Sequence, residues 1–121
     1  MDLQIERQLE RFFVLMGFPN VRIETKMEFW LPPFRLFVEV RNRRISLSVA
    51  ISVSPVGSMA QLRQALMLCI PERTMGVPMR AFLISNWLVL SCHLPEGMDE
   101  SRWLRLYRIQ CKLLQNVVSE S

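Results

Sequence analysis

The chain has 121 residues, a formal charge of +4 and a hydrophobic fraction of 50%. This length makes one domain, residues 1–121, with a real core but much exposed surface, and so apolar a composition predicts that a partner covers part of that surface. No run approaches the ~20 apolar residues needed to cross a bilayer, and Asp2, Glu6 and Glu10 argue against a secretory signal, so the expected location is the cytosol.

Residues 2–16 predict a helix, because Ile5, Leu9, Phe12, Phe13 and Met16 recur on one face while Glu6, Arg7, Glu10 and Arg11 fill the other. Gly17 is a natural stop just past its end, and Pro19 follows. Val21, Ile23 and Thr25 alternate and predict a short strand. Pro32-Pro33 then ends whatever precedes it. Phe34–Val40 and Ile45–Val53 are the clearest strand pair. Leu36, Val38 and Val40 alternate with Arg35, Phe37 and Glu39, and Ile45, Leu47, Val49 and Ile51 alternate with serines and Ala50. The polar join from Arg41 to Arg44 predicts a tight hairpin, since Asn42 tolerates positive φ. The serine row gives the second face a small, weakly polar surface, suited to lie under a partner or a helix.

Ser58 is placed to cap a helix that Pro71 stops. Met59, Leu62, Leu66 and Cys69 share one face of it, and Ala65, Met67, Leu68 and Ile70 make its last turns apolar nearly all round. A helix wet on one side does not look like this. Either it is buried between the sheet and another element or it forms a subunit interface; the small size of the domain favours the interface, built from Met59, Leu62, Leu66, Met67, Cys69 and Ile70. Met79–Ser85 and Leu88–Leu94 predict two further apolar strands with a turn near Asn86-Trp87. Asp99 caps a closing helix over 100–118, with Leu104, Tyr107, Cys111, Leu114 and Val118 as its apolar stripe. The fold class is therefore α+β: a twisted antiparallel sheet with three helices, in the order helix, strands, helix, strands, helix.

Catalytic chemistry finds no foothold in this pattern. His93 follows Cys92, and neighbours in a strand point to opposite faces, so they form no thiolate–imidazole pair. Cys69, Cys92 and Cys111 stand singly, without metal-ligand spacing, and read as buried free thiols. There is no Gly-rich phosphate loop, G-x-S-x-G or H-E-x-x-H motif. No enzyme activity, cofactor or metal is expected.

Binding is what remains. Arg41, Arg43 and Arg44 form a basic hairpin tip, and Arg102, Arg105, Arg108 and Lys112 lie on the last helix. A small nucleic-acid-binding or regulatory protein is the alternative reading, because arginines on β-ribbons and helices contact phosphate. The modest net charge, and aromatics not interleaved with the arginines, favour a protein partner instead.

The whole chain resembles the class I type III secretion chaperones, the Tir chaperone family, and within it the CesF-like attaching-and-effacing branch. The resemblance rests on the first helix ending in Leu15-Met16-Gly17, the hairpin, and the helix with Leu62, Leu66 and Leu68. Leu88-Val89-Leu90-Ser91, the turn at Leu94-Pro95 and the closing helix opening on Asp99 and Trp103 complete it. It implies a homodimer built through the middle helix. It also implies a virulence role: binding the N-terminal segment of a secreted effector in extended form and keeping it soluble and secretion-competent. Phe12, Phe13, Phe18, Phe29, Trp30, Phe34 and Phe37 are the candidate effector-binding residues, with Arg41, Arg43 and Arg44 as an electrostatic contact. Eight methionines suit grooves that must fit irregular partners. Members of that family are usually acidic, so the sequence pI of 9.5 implies an acidic effector segment or a basic docking face.

Overall fold

The computed structural model describes residues 1–119. Helix α1 spans Leu3–Leu15, and its N-terminus is capped by Asp2, whose carboxylate accepts from the backbone N–H groups of Gln4 at 2.8 Å and Ile5 at 3.4 Å. Those two bonds, with the nearby Arg43, hold the Asp2 carboxyl below the usual carboxylate range. The helix stops as expected: Gly17 takes φ +97°, and the Phe18 N–H returns to the Phe13 carbonyl at 2.8 Å.

Five strands follow: β1 (Lys26–Leu31), β2 (Phe34–Arg41), β3 (Arg44–Ser52), β4 (Met79–Ile84) and β5 (Trp87–Leu94). They form one antiparallel sheet in the order β1-β2-β3-β5-β4. The expected strand at Val21–Thr25 does not form. Val21 and Ile23 instead pack half-buried against the core, and the strand begins at Lys26, where pairing with β2 becomes possible. Pro32-Pro33 makes the turn between these two strands. At the β2–β3 turn both Asn42 and Arg43 take positive φ, 48° and 65°, the mirror-image turn that matches strand twist. The β4–β5 turn falls at Ser85-Asn86, one residue earlier than expected, so Trp87 opens β5.

Helix α2 (Ser58–Leu68) lies against β4 and α3, and α3 (Glu100–Ser119) packs across β3 and β5 beside α1. Asp99 caps α3 as expected, accepting from the Arg102 N–H at 2.9 Å. Helix α2 differs: Gly57 is its capping residue and Ser58 bonds back to the Pro55 carbonyl. All three helices cover one face of the sheet. Leu36, Val38, Ile45, Leu47, Val49, Ile51, Leu88, Leu90 and Cys92 point into that core with Phe12, Phe13, Trp103, Leu106 and Leu114.

The stripe on α3 is displaced from the expected one. Trp103, Leu106, Gln110, Leu113, Leu114 and Val117 are buried, while Leu104, Tyr107, Cys111 and Val118 sit at the margin. Gln110 accounts for the shift. Its amide Nε2 donates to the carbonyls of Leu47 at 3.0 Å and Leu90 at 2.9 Å, so a polar side chain occupies the centre of the packed face.

Candidate binding surfaces

Three surfaces remain uncovered. The first is the outer side of α2. Gln61 and Ala65 face inward and Leu62, Leu68 and Cys69 are half-buried. Met59, Leu66, Met67 and Ile70 face solvent, with Leu66 at 50% and Met67 at 76% exposure, and Val56 just ahead of the helix at 88%. The expected grouping of Met59 with Leu62, Leu66 and Cys69 is therefore split by the helix. Ala65 turns inward because α2 packs close to β4 and α3, and this leaves the larger side chains outside. A contiguous apolar strip without a neighbour is the mark of an interaction surface.

The second surface is the far face of the sheet. Among the described residues no helix packs on it. Alternation places Trp30, Arg35, Phe37, Ser46, Ser48, Ala50, Phe82, Trp87, Val89, Ser91 and His93 there. The Arg35 guanidinium lies 4.7 Å from the Trp87 ring centre, and Ala50, opposite Arg35 in the register, is buried. The serines make a shallow trough, Ser48 Oγ donating to Ser91 Oγ at 2.8 Å and Ser46 Oγ lying 3.2 Å from His93 Nδ1.

The third is an apolar groove of about 470 Å³ between the β1–β2 turn and α3. Leu31, Pro32, Phe34, Tyr107 and Cys111 line it, with Arg108 and Lys112 on its rim. Burial pushes the Cys111 thiol up to about 11 and raises Tyr107, and the hydrogen bond between them raises Tyr107 further while partly offsetting the rise at Cys111. Cys92, deeper in the core, is pushed up to about 12 by burial. Neutral thiols of this kind are poor nucleophiles.

The aromatic candidates do not converge. Phe12 and Phe13 are enclosed in the core, where Phe12 meets Trp103 edge-on at 6.1 Å and Phe13 meets Phe29 at 5.1 Å. Phe18 stacks on Phe29 at 6.4 Å. Phe34 reaches the groove against α3, while Trp30, 59% exposed, and Phe37 lie on the open face of the sheet. The arginine trio divides as well. Arg43 turns toward α1 and pairs with Asp2 at 2.6 Å, whereas Arg41 and Arg44 line a cleft on the open face together with Arg80 and His93. Sequence reasoning missed Arg80, because only the pairing of β3, β5 and β4 carries it to that place. Among the described residues no group of His, Cys, Asp and Glu is placed to hold a metal ion, and no helix is long and apolar enough to cross a membrane.

The fold is shared with solved structures. One chain of the HopA1–SchA chaperone–effector complex superimposes with a TM-score of 0.70 over 98% of both chains, at 12% identity. YbjN from E. coli shares the fold more distantly, with a TM-score of 0.58 over 94% of this chain and 88% of that one, again at 12% identity. The chain belongs to the SsaM family, whose family model matches residues 2–117. It is 29% identical over 115 residues to the secretion system apparatus protein SsaM of Salmonella typhimurium strain LT2, covering 95% of this chain and 93% of that protein.

Proposed function

We propose that this protein is a cytoplasmic type III secretion chaperone of the class I kind, acting as a homodimer that holds the N-terminal segment of a secreted effector. Membership of a family that includes a secretion system apparatus protein, on a fold shared with a chaperone–effector complex, carries the reading. The surfaces fit the work. The bare strip of α2 supplies a self-complementary patch for a second copy, since a twofold interface uses the same patch twice. The groove of Leu31, Phe34 and Tyr107 and the open face bearing Trp30 and Phe37 offer apolar seats for an extended client. Nothing in this work requires bond chemistry, and the raised thiols suit a binding protein.

A tagged pull-down from the native bacterium, with and without nuclease, tests the proposal. One secreted protein, retained after nuclease and bound through its N-terminal segment, is the expected result. Recovery of nucleic acid lost on nuclease treatment would replace this reading with the regulatory one, and recovery of structural apparatus components alone would make the chain an apparatus part.

A further inference from the structure

We propose that the cleft on the open sheet face beside the β2–β3 turn is a binding site for a carboxylate-rich peptide segment. The cleft has a volume of about 600 Å³. Arg41 and Arg44 stand opposite each other at the turn, Ser46 opposite His93 one row in, and Arg80 opposite Ser91 beyond. Three strands thus converge an arginine each on one hollow and a fourth adds His93, with Glu39 as the one carboxylate among the described residues of its lining. Three arginines against one glutamate leave a surplus of two positive charges with His93 counted neutral. Among the described residues Arg44 and Arg80 enter no ion pair, while Arg41 is held by Glu39 at 3.2 Å. Two unengaged guanidinium groups facing one cleft are a fork-shaped match for carboxylates.

The floor supports the same occupant. Ser46 in the lining is small, and Ser48 and Ser91 continue the sheet beyond it, so a peptide backbone can approach the sheet closely. Ser46 engages Nδ1 of His93, leaving Nε2 as the ring nitrogen available to a ligand. Serine hydroxyls and the Glu39 carboxylate accept from peptide N–H groups, which nucleic-acid backbones do not offer. A continuous phosphate chain would also meet Glu39, and among the described residues of the lining there is no Phe, Tyr or Trp to serve as a stacking platform for a base. An acidic peptide, with separated carboxylates and its own donors, satisfies both signs of the lining. This site shares the open sheet face with Trp30 and Phe37 but is lined by neither, and direct peptide binding tests it separately from the function proposed above.

Fluorescence anisotropy tests it with a labelled peptide of alternating Glu and Ser. Two further probes are the same peptide with Gln for Glu and a single-stranded oligonucleotide of equal charge. The acidic peptide is expected to bind, to weaken with salt, and to bind better than either of the others. Arg44→Gln combined with Arg80→Gln is expected to weaken binding by about tenfold or more while thermal unfolding stays unchanged. Glu39→Gln removes the repelling carboxylate and frees Arg41, so it is expected to tighten binding, a gain that misfolding does not produce. Absence of binding, equal binding of the Gln peptide, an unaffected double variant, or tighter binding of the oligonucleotide would each overturn the site.

Discussion

Gln110 shows how much one side chain can decide. It is fully buried, and its two donated bonds tie α3 to carbonyls on β3 and β5 at once. Gln110→Leu keeps the volume and removes both donors, and we expect it to cost about 1–3 kcal/mol in urea unfolding. A cost near zero would mean that the strand ladder alone satisfies those carbonyls. The thiols give a second residue-scale expectation, with its sign set by burial. Cys92 rises from 9.0 to about 12 and Cys111 from 9.0 to about 11, so the folded chain holds those protons longer than the unfolded chain does. Their contribution to stability is intact below pH 9.0, the ordinary value, and is lost as pH rises toward about 12. The urea midpoint should therefore fall steadily above pH 9.0, with Tyr107, also raised by burial, adding to the fall further up. A flat midpoint across that window would contradict the burial assigned to these groups.

At the scale of elements, α2 separates exposed apolar positions from core within a single turn. Leu66 is half exposed and its neighbour Ala65 is enclosed. Leu66→Asp should leave the monomer folded and abolish self-association, because the new charge is costly only when a partner covers it. Ala65→Asp should unfold the domain, since that charge is buried within one chain. Sedimentation velocity with circular dichroism distinguishes the two; a Leu66→Asp protein that still sediments as a dimer would remove α2 from the interface. The β2–β3 turn behaves differently, because backbone geometry rather than charge holds it. Reversing Arg41, Arg43 and Arg44 to glutamates should keep the fold, with a small loss from like charge facing Asp2 that added salt removes. Unfolding at all salt concentrations would show that the turn is not the exposed tip it is described as.

For the molecule as a whole, the sequence carried the order of elements and the β2–β3 pair to within a residue, because alternation over two runs with a polar join admits few other readings. It misplaced β1: Val21, Ile23 and Thr25 alternate as well as Met27, Phe29 and Leu31, and pairing with β2 decides between them. It misread the inward face of α3 because a polar residue at the centre of a stripe looks like solvent exposure until the sheet supplies two carbonyls. Of the open-face cleft, Arg41 and Arg44 were legible as a basic hairpin tip, but their meeting with Arg80 and His93 was not, since strand order alone assembles it. What the whole fold leaves open is a long apolar strip on α2 in a domain whose helices are all spent on one sheet face. If a second copy covers that strip, folding and association are linked, and mass action makes the unfolding temperature rise with protein concentration. We expect that rise in the natural chain and expect Leu66→Asp to erase it while keeping a cooperative transition. A concentration-independent unfolding temperature in the natural chain, with monomer in sedimentation, would assign the strip to the client instead, and the homodimer would fall while the chaperone reading stood.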